Sequence, residues 1–255
     1  MRYVVFNRKG GVGKSTIVCN LAAVNAMAGR RTLVIDLDPQ GNATQYLTGQ
    51  DAGDLQPGLA EFFESTLGFK LLRSLAEDQA IVHESVVDGL DLLPSSPDLQ
   101  ELQTKLETRH KIYKLRDLLG ELSAYQDVFI DTPPAVGFYT ISALIAAERC
   151  LIPFDCDEFS RRALFQLLET VQEVREDHNP NLKVGGVVVN QFQSQAKLPA
   201  QLVDELREEG LPVLEPFLSS SVKVRESHRA HRPLVDFLPR HKVSEQFRAL
   251  HAALG

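Results

Sequence analysis

The sequence lacks any apolar run approaching the roughly 20 residues that a helix needs to span a bilayer. Its first residues also lack the basic-then-apolar pattern of a leader peptide. Both absences point to a cytoplasmic protein. Cysteine is scarce: Cys19, Cys150 and Cys156 are three in number and have no paired-ligand spacing. That argues against a disulfide framework and against a zinc site, and predicts reduced, mostly buried thiols. No linker-like stretch interrupts the 255 residues, of which 44% are hydrophobic. Such a chain can bury a substantial core, and the simplest organisation is one domain over residues 1–255.

Glycine clusters in one place. Residues 7 to 16 read Asn-Arg-Lys-Gly-Gly-Val-Gly-Lys-Ser-Thr, directly after the apolar run Tyr3-Val4-Val5-Phe6 and directly before the helical pattern Ile17-Val18-Cys19-Asn20-Leu21-Ala22-Ala23. Strand, glycine-rich turn and helix in that order form a phosphate-binding loop. Gly10, Gly11 and Gly13 let the backbone curl so that successive N–H groups converge on phosphate oxygens, and the helix adds the positive end of its dipole. Lys14 then reaches the terminal phosphates and Ser15 a magnesium ion. The ligand expected from the loop is therefore a nucleotide with Mg2+, Val12 and Thr16 completing the nucleotide-binding set, and the family resemblance drawn below implies that this nucleotide is ATP. The common pattern GxxxxGK[ST] carries a glycine five residues before Gly13, where this chain has Arg8, and a second lysine, Lys9, stands at the mouth of the loop.

Two further segments end in acids. Thr32-Leu33-Val34-Ile35-Asp36-Leu37-Asp38-Pro39-Gln40-Gly41-Asn42-Ala43-Thr44 reads as a buried strand delivering two carboxylates at its carboxyl end, where open α/β sheets place their ligands. Asp127-Val128-Phe129-Ile130-Asp131-Thr132-Pro133-Pro134 is a second such run, and Asp131 fits a Walker B aspartate that holds magnesium through water. Apolar strands near 2–7, 32–36, 90–94, 127–131, 149–153, 184–190 and 213–217 alternate with helical patterns. This predicts an α/β fold with a mostly parallel twisted sheet and helices on both faces. Leu164, Leu167, Leu168, Val171 and Val174 recur at helical spacing over 160–177 and are assigned to core packing. Residues 45–88 are the least regular part, with Pro57-Gly58 and short amphipathic pieces such as Leu59-Ala60-Glu61-Phe62-Phe63.

Taken together, KGGVGKST, DLDPQGNAT and DTPP resemble the deviant Walker A P-loop ATPases of the ParA/MinD group, and ParA most closely, over nearly the whole chain. The resemblance implies that Lys9 crosses a nucleotide-sandwiched homodimer to the partner's phosphates. It also implies that Asp38 orients the attacking water and that Asp36 lies near the magnesium shell with Ser15 and Asp131. The expected catalytic set is Lys9, Lys14 and Asp38, and supplying Lys9 in trans would make hydrolysis conditional on dimerisation. In the wider group an asparagine at the position of Asn190 bonds the adenine edge, and the segment at Pro216 brings backbone groups to the base. From the residues alone Asn190 is equally a strand-end turn former.

Charge separates the partners. The chain is net −7, yet residues 219–255 hold seven Lys or Arg against three Asp or Glu, a balance of +4 that leaves −11 on the other 218 residues. A basic surface on an acidic protein suits sequence-independent DNA binding, and the candidates are Lys223, Arg225, Arg229, Arg232, Arg240 and Lys242. The plain alternative is a solvated helix face with ordinary ion pairs. A MinD-like membrane switch would end in a basic amphipathic helix, whereas residues 243–254 carry one arginine and one glutamate, so no stable membrane binding is expected. A small-molecule kinase or amidoligase would need a second-substrate motif, which is not evident. The resemblance implies an ATPase that uses non-specific DNA as a matrix to partition or position a cargo. It would be nucleoid-associated, with hydrolysis stimulated by a ParB-like or cargo-adaptor protein.

Overall fold

The computed structural model describes residues 1–68, 81–193, 195 and 197–255. Part of the irregular stretch 45–88 therefore lies outside the described residues. In chain order the first half contains β1 (Arg2–Val5), α1 (Lys14–Met27), β2 (Thr32–Asp36), α2 (Asn42–Thr48), α3 (Leu59–Leu67), β3 (His83–Glu84), β4 (Leu90–Leu93), α4 (Leu99–Thr108) and α5 (Lys114–Glu121). The second half contains β5 (Asp127–Asp131), α6 (Phe138–Ala146), β6 (Arg149–Phe154), α7 (Glu158–Asp177), β7 (Lys183–Val189) and α8 (Lys197–Glu208). It closes with β8 (Val213–Leu214), α9 (Val222–Arg229), α10 (Leu234–Phe237) and α11 (Lys242–Ala253).

The strands join in the order β3-β4-β2-β5-β1-β6-β7-β8. Every pairing is parallel except that of β3 with β4. The seven strands expected from hydrophobic runs are all present. β8 is shorter than its run, because the chain turns away after Leu214, and the antiparallel edge strand β3 adds to the expected set. His83 and Glu84 are too few and too polar to announce a strand.

Alternation explains the layers. Val4 and Phe6, Leu33 and Ile35, and Val128 and Ile130 face one core, whereas Tyr3 and Val5, Val34 and Phe129 face the other. Side chains that alternate across a pleat while both sides remain apolar are what a doubly covered parallel sheet requires. The first core takes residues from α3 to α8, including Leu164, Leu167, Val171 and Val174 of the stripe assigned to core packing; Leu168 is partly buried against it. Residues of α1, α2, α10 and α11 fill the second. α1 is buried nearly all round because it lies between the sheet and the last two helices. Its polar Asn20 is satisfied there by the Val235 N–H of α10 at 3.1 Å.

α11 uses its apolar stripe internally. Val243, Phe247, Leu250 and Leu254 are buried in the α1 core. Among the described residues, no helix is long and apolar enough to cross a membrane. If α11 is a core element, Leu250→Ala should destabilise the protein by about 2–5 kcal/mol, because Leu250 is fully buried. The urea unfolding midpoint reads this directly, and an unchanged midpoint would show that the helix is not part of the cooperative unit.

Candidate functional site

Strand register brings the acids together. Asp36 pairs with Asp131 across β2 and β5, and Asp131 pairs with Val5 across β5 and β1, so both carboxylates and the start of the loop stand at one level of the sheet's carboxyl edge. The loop between β1 and α1 is fixed from below. Asn7 donates through Nδ2 to the Pro153 carbonyl at 2.7 Å, and its Oδ1 accepts the Lys9 N–H at 2.8 Å. Gly11 (φ 77°) and Gly13 (φ 91°) adopt the left-handed region, and a Cβ on Gly13 would collide with Asn190 Nδ2. α1 starts at Lys14 with no side-chain cap. Its first amides therefore stay available at the positive end of the helix, the arrangement that binds anions.

Within this cradle Lys14 is 7% exposed, and its Nζ donates to the Lys9 carbonyl at 3.3 Å. Burial draws its ammonium below the ordinary lysine value, against the pull of Asp131 and Asp38. Asp36 and Asp131 are fully buried, and burial pushes both upward. Asp36 is offset by Thr44, whose N–H and hydroxyl donate to Oδ2 at 2.7 and 2.8 Å. Asp131 has Ser15 and Lys14 to draw it down, yet its Oδ2 is buried without a hydrogen-bond partner. A hard divalent cation prefers oxygen donors, and an unpaired buried carboxylate oxygen beside a serine hydroxyl and a second carboxylate fits magnesium. Asp38 is 7% exposed and also raised by burial, with the Gln40 N–H and Lys14 opposing. Its backbone carbonyl accepts the Ser95 hydroxyl at 2.6 Å, and the Ser95 N–H donates to Thr44 Oγ1 at 3.1 Å. Thr44 and Ser95 thus tie Asp36 to the turn that carries Asp38.

The second lysine lies outside the cradle. Lys9 Nζ contacts Asp155 Oδ2 at 2.6 Å and Asp157 Oδ2 at 3.0 Å, and the hydrogen bond to Asp155 raises its pKa. Asp155 and Asp157, just beyond β6, carry no sequence signal of this role. Arg8 donates to the Thr170 hydroxyl of α7 at 3.3 Å.

Beside the loop lies a cavity of about 410 Å³ walled by Gly11, Gly13, Thr16, Asn190 and the segment Ser219–Val222. Asn190 Nδ2 donates to the Val12 carbonyl at 2.8 Å, and Gln191 Nε2 donates to that of Gly11 at 2.9 Å. Asn190 therefore braces the loop while also lining the cavity. Pro216 does not line this cavity.

All six basic candidates are exposed. Lys223 pairs with Glu226 at 2.7 Å and Arg232 with Asp236 at 2.6 Å. Among the described residues, no ion pair is formed by Arg225, Arg229, Arg240 or Lys242. Arg225 and Arg229 are one turn apart on α9 and share a face; Arg225 also lines the cavity.

Residues 2–184 match the family described as an AAA domain. The chain is 34% identical to the chromosome partitioning protein ParA of Myxococcus xanthus, over 96% of this chain and 84% of that one. It is 30% identical to the sporulation initiation inhibitor protein Soj of Bacillus subtilis, over 95% and 93%. Among solved structures, a cobyrinic acid a,c-diamide synthase from Mycobacterium smegmatis with bound ADP and magnesium superposes with a TM-score of 0.83 at 29% identity, covering 99% of this chain and 93% of that one. A deviant phosphate loop on a central strand, two buried aspartates in register beside it and these relatives agree: the chain belongs to the ParA/MinD family of P-loop ATPases.

Proposed function

We propose that the chain is a Mg2+-dependent ATPase that dimerises around ATP, binds DNA without sequence preference as a dimer and is released by hydrolysis. The observation that carries this reading is the division of labour between two lysines. Lys14 is buried in the cradle of its own loop, whereas Lys9 stands at the rim on two aspartates. A rim lysine is placed to serve the phosphates of a second copy rather than its own. In the resting chain its charge is balanced by Asp155 and Asp157.

The residues divide the chemistry of phosphoryl transfer, which needs positioning and charge neutralisation more than covalent participation. The loop amides and Lys14 hold the phosphates. Ser15, Asp131 and Asp36, the last held by Thr44, would supply the oxygen set for magnesium, which would neutralise charge on the terminal phosphates. Asp38, set beside Lys14 and fixed through the Gln40 N–H and Ser95, orients the attacking water. Lys9 from the second copy adds positive charge late, which makes turnover depend on association.

Two α9 patches in a dimer join modest phosphate contacts into one site, so DNA affinity rises with dimerisation. A ParB-like or cargo-adaptor protein would stimulate hydrolysis on the nucleoid, and the identity of that adaptor sets the cargo. The curated relatives named for chromosome partitioning favour this reading over a membrane-bound one. So does α11, whose apolar residues are committed to the core.

Lys14→Ala should weaken ATP binding at least about 100-fold in a fluorescent-nucleotide titration, since it removes a buried charge aimed at the phosphates; wild-type affinity would contradict the loop assignment. Asp38→Ala should accumulate an ATP-bound dimer by light scattering, and a monomer at saturating ATP would refute the role given to Asp38. The decisive experiment is binding to random-sequence duplex DNA with ATP, with ADP and without nucleotide, across a salt series. ATP-dependent, salt-sensitive binding is expected, with Arg229→Ala lowering both the affinity and the salt slope. Binding to anionic liposomes instead would make the chain a membrane ATPase. ATP turnover that requires an amide donor and a carboxylate acceptor would place it with the diamide synthase.

A further inference from the structure

Three elements, α1, α2 and α9, meet beside the phosphate loop through Thr16, Tyr46 and His228, the last two of which have no part in the chemistry above. His228 of α9 lies flat on Tyr46 of α2, with ring centroids 3.8 Å apart and planes within 8°. Its Nε2 is 2.9 Å from the hydroxyl of Thr16, the third residue of α1. The Tyr46 hydroxyl is in turn 2.7 Å from Ser227 Oγ and accepts the Leu234 N–H at 3.0 Å. His228 and Arg225, one turn apart, both wall the 410 Å³ cavity that also opens on Gly11, Gly13 and Thr16. Burial, with the charge of His231 adding to it, holds the His228 imidazole below its ordinary value, so at neutral pH the ring is uncharged and has one donor and one acceptor nitrogen.

We propose that His228 is a positioning residue that links occupancy of the nucleotide pocket to the placement of α9. A nucleotide seated on the loop meets the Thr16 hydroxyl at the start of α1. That hydroxyl is shared with His228, so any reorientation of it is felt by the ring, and the stack on Tyr46 leaves the ring little freedom to adjust without its helix. α9 also carries Arg229 and Arg225. The nucleotide thus acts on the basic helix within one chain, before any second copy arrives. This inference rests on the ATP-site reading above, and it adds a route from that site to the DNA-facing helix.

The test follows amide hydrogen exchange of residues 222–229 in the full chain, with and without a saturating non-hydrolysable ATP analogue. In the wild type the analogue should slow exchange in α9 about tenfold or more. His228→Phe keeps a ring on Tyr46 and removes the bond to Thr16. It should weaken nucleotide binding roughly 2- to 10-fold, the range of one hydrogen bond, and lose most of the slowing even at saturation. His228→Gln, which keeps an amide nitrogen able to reach Thr16, should recover part of it. Thr16→Val removes the same bond from the other side and should reproduce the loss, which covers a failure of the phenylalanine variant to fold. Equal slowing in wild type and His228→Phe at saturation overturns the proposal, as does a wild-type α9 that ignores the analogue. Slowing of α9 without DNA binding in any nucleotide state would instead refute the DNA-matrix reading and leave the link standing.

Discussion

Three carboxylates, Asp36, Asp38 and Asp131, are held at the carboxyl edge of the sheet with one buried lysine among them. An excess of buried negative charge is costly unless hydrogen bonds or cations offset it. Most of the local construction is an answer to that cost. Register between β2 and β5 sets Asp36 level with Asp131, Thr44 gives two hydrogen bonds to Asp36, and the Gln40 N–H meets Asp38. What remains uncompensated is one oxygen, Asp131 Oδ2, beside Ser15 at the phosphate cradle. The fold thus accepts local electrostatic strain at the place where a magnesium ion would bring the missing positive charge.

The same economy of charge separates the two lysines. Burial lowers the pKa of Lys14, which makes it responsive to any anion entering the loop, while Asp155 and Asp157 stabilise the ammonium of Lys9. One lysine is poised for its own ligand. The other is held on two aspartates that, under the trans role proposed for it, it would have to leave in order to act on a second copy.

Much of this was legible in the sequence because the signals are local. Glycine spacing, the Gly-Lys-Ser turn and apolar runs, two of them ending in aspartate, announced the loop, the acids and the seven parallel strands, since each feature reports on its own few residues. What could not be read depends on contacts between distant segments. Asn7 reaches Pro153, Lys9 reaches Asp155, Ser95 closes on Asp38, and Thr16 meets His228 across 212 positions of sequence. Asn190 shows the limit clearly. A strand-end asparagine suggests either a turn or a base contact, and which loop carbonyl it bonds follows only from how β7 sits across β6 from β1. Composition correctly marked the C-terminal residues as basic, but could not tell that Lys223 and Arg232 are neutralised by Glu226 and Asp236 whereas Arg225 and Arg229 are not.

The rims of the sheet have a consequence for assembly. At one side the sheet ends in the two-residue antiparallel β3, and at the other in the two-residue β8. Unpaired strand edges are natural templates for joining sheets, and very short end strands remove that option. Copies of this chain therefore have little to gain from lateral strand addition. If copies associate as proposed, contact falls to the loop-bearing surface, where it would depend on the ligand and so stay reversible rather than permanent.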